Sequence, residues 1–220
     1  MKNETILPDI KATNWDDHWS TVSGTSLIEK WRIRSVWKGY ERLLKRTSLP
    51  PDPQILELGA GSGHVSLRLI KKYGGSATLI EGNPRAIIFS KKLWDKAGLM
   101  NCVTHIEGSL LKTKLASRFD LAHSGGVIEH FHGRDKSSAI EAHIRPLKKS
   151  GYLILVIPVK SIRYSVFKAF LSLMGKWIYT DEIPWERDEA VKTLCPQGFR
   201  LVRQTRIGHE TGYLLEKQID

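Results

Sequence analysis

Glu57-Leu58-Gly59-Ala60-Gly61-Ser62-Gly63 lies between an apolar run, Gln54-Ile55-Leu56, and a segment of helical spacing from His64 to Lys72. Glycines at alternate positions between a strand and a helix build a turn with no side chains in the way. Such a turn tolerates positive φ and lets a ligand lie against the backbone. The first amides of the following helix then point outward, toward that ligand. A strand, a glycine turn and a helix open an α/β sheet. The spacing argues against two common ligand classes. The dinucleotide fingerprint G-x-G-x-x-G needs two residues before its last glycine, and here there is one. A phosphate-binding P-loop needs Gly-Lys-Ser/Thr, and no such triplet follows. Glu57 points the same way, because a carboxylate at the strand end repels phosphate and suits a cationic, amino-acid-like ligand.

Downstream, strands and helices alternate. Strands are expected at Ile55–Leu58, Ala77–Glu81, Val103–Ile106, Phe119–His123 and Tyr152–Ile157. The last is a continuous apolar run suited to burial on both faces. Helices are expected at His64–Lys72, from Pro84 to Lys96 with Gly98 as stop, from about Arg134 to Lys148, and from Glu186 to Leu194. Gly198–Arg206 and Gly212–Lys217 predict a terminal hairpin turning near Gly208. This alternation predicts a doubly wound, mostly parallel sheet with helices on both faces. In such sheets ligands bind outside the C-terminal strand ends, at the switch point.

The second strand ends Thr78-Leu79-Ile80-Glu81-Gly82-Asn83, which places an acid about 20 residues after the glycine turn, where a carboxylate can accept both ribose hydroxyls. The third is followed by Glu107-Gly108-Ser109-Leu110. The fourth runs on as Ser124-Gly125-Gly126-Val127-Ile128-Glu129-His130-Phe131. Together these segments resemble motif I and the following strand ends of the class I S-adenosylmethionine-dependent methyltransferases. The resemblance covers about residues 54–217. It implies a Rossmann-like seven-stranded sheet with an antiparallel last strand, and S-adenosylmethionine as cofactor, leaving as S-adenosylhomocysteine.

On that resemblance Glu57 holds the methionine ammonium electrostatically. Gly59, Ala60, Gly61 and Gly63 give close approach, and Glu81, with Gly82 and Asn83, holds the ribose. Gly108, Ser109 and the Leu110 backbone meet the adenine. Ser109 stands where family members often carry Asp, and a serine still accepts one hydrogen bond. Ser124 and Gly125 line the methionine end, and Gly126 opens it to the substrate. The Asp/Asn-Pro-Pro-aromatic motif of base N-methyltransferases is absent, which argues against an exocyclic base amine.

His130 is the candidate general base, since a histidine titrates near neutrality; the alternative is a helix-capping role. Glu129-His130 is also similar to the Glu-x-x-Glu-His of metal-assisted methyltransferases. Gly126 replaces the first Glu, so no resident metal is expected; His132, His143 or His123 would have to substitute. Asp120 is expected to fix a strand end.

Residues 1–50 are expected to form a helical extension or lid, loosely ordered over 1–13, and 51–220 the catalytic domain. Ser26-Leu27-Ile28-Glu29 reads as a capping box opening a helix to about Arg46, with Leu27, Trp31, Tyr40, Leu43 and Leu44 available for packing. Trp15, His18 and Trp19 are candidates to close over the substrate. A helical insertion is expected over about 160–185. Within it Ser165, Lys168, Ser172 and Lys176 share a narrow polar arc, and nearly everything else is apolar. So wide an apolar face calls for a core, an apolar substrate, a partner or a membrane surface to cover it. Arg163 and Trp185 are further candidate substrate contacts.

The net charge of +11 admits a nucleic-acid partner, but the basic residues are scattered, and pairs such as Lys71-Lys72 and Lys148-Lys149 are expected at helix ends. Cys102 and Cys195 show no metal spacing. Met1 to Pro8 carries no signal-peptide core and no run reaches membrane length, so a cytoplasmic protein is expected. The expected activity is methyl transfer to a small, apolar or lipid-like acceptor by in-line displacement. Peripheral membrane contact, an RNA acceptor or a catalytically silent interaction protein are the alternatives.

Overall fold

The computed structural model describes residues 12–22 and 26–218. The expected loose order of residues 1–11, and the reading of Met1 to Pro8, lie outside the described residues. In chain order the elements are α1 (Trp15–Thr21), α2 (Leu27–Leu43), β1 (Gln54–Leu58), α3 (His64–Tyr73), β2 (Ser76–Glu81), α4 (Pro84–Lys96), β3 (Val103–Glu107), β4 (Phe119–Gly125), α5 (Gly133–Ile144), β5 (Leu147–Pro158), α6 (Ile162–Leu173), α7 (Glu189–Leu194), β6 (Phe199–Ile207) and β7 (Glu210–Lys217). The seven-stranded sheet has the order β3-β2-β1-β4-β5-β7-β6. Only β7 runs against the others, pairing antiparallel with both β5 and β6. The mostly parallel sheet with an antiparallel last strand is therefore present, and the hairpin turns at Gly208, which takes φ +64°.

Alternate residues of each central strand enter opposite cores, the period-two rule applied to a sheet covered on both faces. Leu56, Leu58, Leu153, Leu155 and Ile157 pack on one side with Ile140, Leu194 and Tyr213. Ile55, Ile154 and Val156 pack on the other with Leu69, Ile70 and Tyr40. Glu57 and His123 are register partners and share this second side with Ile55. The topology reverses at β1, which pairs parallel with β2 on one flank and β4 on the other. The crevice beyond the ends of β1 and β4 is where the candidate site lies.

Several boundaries differ from expectation. The helix expected to reach Lys148 ends at Ile144, because β5 already pairs with β4 at Leu147. Lys148 is thus a strand residue, bonded to Asp120 (2.8 Å), which also accepts from the Gln54 amide (2.8 Å) and ties β4 to β1. The last helix starts at Glu189 rather than Glu186. In α2, Tyr40, Leu43 and Leu44 pack as expected, but Leu27 and Trp31 are exposed, since only the C-terminal half of the helix meets the sheet. No helix among the described residues is long and apolar enough to cross a membrane.

Helix α6 docks through Tyr164 and the half-buried Phe167, Lys168 and Leu171, a stripe of i, i+3/i+4, i+7 spacing. The buried stripe is therefore not the most apolar one. Lys168 lies over the Trp177 ring (5.1 Å), while Ile162, Val166, Phe170 and Leu173 face solvent.

Candidate active site

The glycine turn has the conformation its composition demands. Gly59, Gly61 and Gly63 take φ +61°, +54° and +64°. A Cβ on Gly63 would meet Leu79 at 2.6 Å, so the turn is pressed against β2. Both oxygens of Glu81 are committed to shaping this rim. One accepts from the Gly61 amide (2.7 Å) and the other from the Asn83 amide (2.8 Å). A carboxylate has about four acceptor sites, so capacity remains for a diol. Asn83 caps α4 by accepting from the Arg85 and Ala86 amides. Gly82 stands opposite Gly108, whose carbonyl lies 3.7 Å from where a Gly82 Cβ would be. The Ser109 hydroxyl accepts from the Leu111 amide (3.3 Å), closing its own turn, and the Leu110 side chain is in the core. These positions come together in one crevice, as their strand ends require.

Two expected contacts are turned inward. Ser124 is buried and bonded to His143 Nε2 (2.8 Å), which leaves its backbone to line the crevice. His143 Nδ1 donates to the Ala139 carbonyl (2.6 Å), so Nε2 accepts from the serine hydroxyl. The Glu57 carboxylate is also buried and accepts from the Ser66 amide at the start of α3 (3.3 Å). Desolvation pushes it up to about 8, against the hydrogen bonds from Ser66 that favour the charged form. Behind it runs a buried chain: Ser66 Oγ to His123 Nε2 (2.9 Å), and His123 Nδ1 to the Tyr40 hydroxyl (3.2 Å). Burial holds His123 down at about 3, so the ring is neutral.

Helix α1 lies over this crevice. The Trp19 ring sits 2.7 Å from where a Gly61 Cβ would be, and Asp16 accepts from the Asn83 side chain (2.8 Å). Thr13, expected to be loose, is buried and donates to Asp181. His18 stacks edge-on with both Trp15 and Trp19.

His130 follows β4 in a short 3-10 turn, and its Nδ1 is 2.6 Å from Asp181 Oδ1. Burial works against the Asp181 charge, but bonds from Thr13 and His130 hold its pKa below the ordinary value. Trp15 packs edge-on to the His130 ring (5.2 Å), with Tyr179 beside both. Asp181 thus fixes the tautomer that leaves Nε2 for a ligand. His132 Nε2 bonds the Asp181 carbonyl (2.8 Å).

Carboxylates surround the next stretch of the site. Glu129 is 1 % exposed, and neither of its oxygens has a hydrogen-bond partner. Glu129, His130 and Glu182 each bring one ligand atom to within 4.8 Å of the others. Glu129 Oε1 and Glu210 Oε1 would lie 3.8 and 3.9 Å from a Cβ on Gly126, which itself takes φ +69°. Desolvation, then the Glu182 charge, pushes Glu210 up to about 8. Glu129 is displaced well above the carboxylate range by burial, with Glu210 and Glu182 adding to it.

Of the other expected contacts, Arg163 is exposed in the first turn of α6. Trp185 is 2 % exposed, forms a bridge with Val159 and carries the Lys136 ammonium 4.3 Å over its ring. It belongs to the core and lines only a small cavity of about 170 Å³ with Glu129 and Ile183. Glu210 has no counterpart in the sequence reading. The topology contains the signal, since an antiparallel strand begins at the edge where parallel strands end, and Glu210 pairs with Pro158.

A switch-point crevice with a left-handed glycine turn, and an acid at the end of β2, defines the class I methyltransferase fold. Residues 55–151 match the family model described as a methyltransferase domain. The chain is 26% identical over 122 residues to EEF1A lysine methyltransferase 2 of Mus musculus, a match taking in about half of each chain. In three dimensions it is similar to a chain of the complex between the Haloferax volcanii Trm112 methyltransferase activator and its methyltransferase. That likeness has a TM-score of 0.73 and 14% identity, covering 95% of this chain and 100% of that one. It is also similar to magnesium protoporphyrin IX methyltransferase of Synechocystis PCC 6803 with bound S-adenosylhomocysteine (TM-score 0.67, 17% identity, 92% of each chain). The fold is that of the class I S-adenosylmethionine-dependent methyltransferases, and the methyltransferase-domain match over residues 55–151 implies S-adenosylmethionine as the cofactor.

Proposed function

We propose that the protein transfers the S-adenosylmethionine methyl group to a small acceptor with an apolar or lipid-like body, held beyond Gly126 against Trp15, His18 and Tyr179. The supporting observation is the His130–Asp181 pair, 2.6 Å apart under an aromatic wall at the end of β4. The cofactor supplies a methyl group already activated on a sulfonium, so the chain's task is alignment, exclusion of water and removal of one proton. Glu81 holds the ribose, the glycine turn admits the methionine end, and the buried Glu57 acts on its ammonium charge at a distance, from behind the turn. Trp15 and Trp19 shut the crevice. Asp181 keeps the His130 ring oriented so that Nε2 accepts the acceptor's proton. The exposed apolar row Ile162, Val166, Phe170 and Leu173 supports contact with the acceptor's source, a membrane surface included. The Mus musculus relative is named for lysine, which supports a protein acceptor as the second reading.

A transfer assay with methyl-labelled cofactor and a panel of amines, alcohols and lysine peptides tests the proposal. His130→Ala is expected to lower kcat at least a hundredfold, with S-adenosylhomocysteine affinity unchanged, and Asp181→Asn to lower it less. Full activity of His130→Ala across pH would leave this histidine a structural residue.

A further inference from the structure

Resting on that reading, we infer that Glu129, Glu182 and Glu210 form a recognition site for a protonated amine, and that the methyl acceptor is this amine. Glu129 and Glu210 converge on the space beside Gly126, Glu182 comes within 4.8 Å of Glu129, and Glu129 is buried with both oxygens unpartnered. Burial without a partner favours the protonated form of Glu129, and of Glu210 beside it, so a cation arriving here would draw them to the charged form. A cation placed among the three would supply the missing partner.

The spacing admits an ammonium, and the aromatic surroundings favour it over a metal ion. A tetrahedral metal at about 2.1 Å from each ligand holds them about 3.4 Å apart. An ammonium nitrogen making N–H···O bonds of about 2.9 Å holds its acceptors about 4.7 Å apart. The ligand atoms of Glu129, His130 and Glu182 all lie within 4.8 Å of one another, close enough for one ammonium to reach all three. The surroundings agree. Tyr164 donates to Glu182 Oε1 (2.7 Å), which fixes that carboxylate and leaves its other oxygen for the ligand. Tyr179 and Trp15 pack around His130, and aromatic faces stabilise an organic cation. Phe167 stacks on His209 (4.0 Å), adjoining Glu210 in sequence, and gives an apolar wall for a carbon chain.

The same residues serve the transfer. The carboxylates hold the ammonium while one N–H proton passes to His130 Nε2. The freed nitrogen lone pair forms the N–C bond as the C–S bond breaks, its electron pair returning to sulfur. The methylated nitrogen regains a positive charge that the carboxylates neutralise. A hydroxyl acceptor would bring no positive charge to Glu129, whereas Arg32 already acts on Glu210 and Lys168 on Glu182.

Calorimetry with hexylamine and 1-hexanol, each with and without S-adenosylhomocysteine, separates this inference from the underlying reading. Hexylamine is expected to bind at least tenfold more tightly than hexanol, and Glu129→Gln to reduce that ratio to threefold or less while S-adenosylhomocysteine affinity is kept. Glu210→Gln is the second variant, with the same expected direction. Failure to bind S-adenosylhomocysteine would count against the methyltransferase reading, while the amine preference is read separately on the ligand-free protein. Equal affinity for hexylamine and hexanol would overturn the amine site. So would stoichiometric binding of Mn²⁺ alone that is lost in Glu129→Gln without any amine preference. An acetylated, amidated Gly-Lys-Gly peptide distinguishes the amine's source. Binding tighter than hexylamine's assigns it to a lysine side chain, and weaker binding to a free small molecule, both supporting the amine site.

Discussion

Glu81 connects the glycine turn and the cap of α4 through one carboxylate, the one proposed to hold the ribose. Its bonds to the Gly61 and Asn83 amides mean that removing it costs more than a ligand contact. A charge-assisted bond of this kind is worth about 1.5–3 kcal/mol, so Glu81→Ala is expected to weaken S-adenosylhomocysteine binding at least tenfold. Unaltered affinity in calorimetry would remove the ribose role. Glu57 makes a different prediction. With its carboxyl raised to about 8, much of it is protonated in the free protein at pH 7. A ligand ammonium nearby favours the carboxylate, so binding should release a proton and tighten as pH rises toward 8. The apparent binding enthalpy is then expected to vary with buffer ionisation enthalpy, and to stop varying in Glu57→Gln. No buffer dependence in the parent protein would contradict this assignment.

At the level of elements, the central strands and the turn after β1 were legible because a doubly covered parallel sheet leaves continuous apolar runs punctuated by glycine. The strand-end acids were legible for the same reason, since topology places them at the switch point whatever the rest of the chain does. What escaped the sequence was decided by tertiary contact. Lys148 was read as a helix end, yet β5 captures it with Asp120. Lys168 was placed on a polar arc, yet it lies inward on Trp177, because Tyr164 rather than the more apolar Val166 and Phe170 finds a place against the body. Glu210 is 81 residues from Glu129 (210 minus 129) and meets it only through the β7 pairing. Helix α1 was expected as a lid and lies across the crevice, with Trp19 on Gly61 and Asp16 on Asn83. A lid should become more protected when the ligand beneath it binds. Amide exchange over Trp15–Thr21 is expected to slow at least tenfold with S-adenosylhomocysteine. Unchanged exchange would make α1 a fixed part of the wall.

The whole molecule buries carboxylates and neutral histidines together, and their linkage to pH has opposite signs. Glu57 and Glu210, with folded values of about 8 against an ordinary 4.5, stabilise the fold below pH 4.5 and lose that contribution as pH rises through 8. His123 and His143, at about 3 and 4, contribute fully above 6.5 and lose their contribution as pH falls toward those values. Above pH 7.5 the histidines fall silent. Between pH 7.5 and 9 the Tm of the ligand-free protein is therefore expected to fall, and to fall less in Glu57→Gln. A flat Tm over that range would show that these carboxylates are already ionised. The claim on which the rest stands is that the crevice at the ends of β1 and β4 takes S-adenosylmethionine. Calorimetric titration with S-adenosylhomocysteine, with NAD as control, tests it most directly. Saturable one-to-one binding of the first and none of NAD is the predicted result. NAD binding, or no binding of S-adenosylhomocysteine to a folded protein, would contradict it.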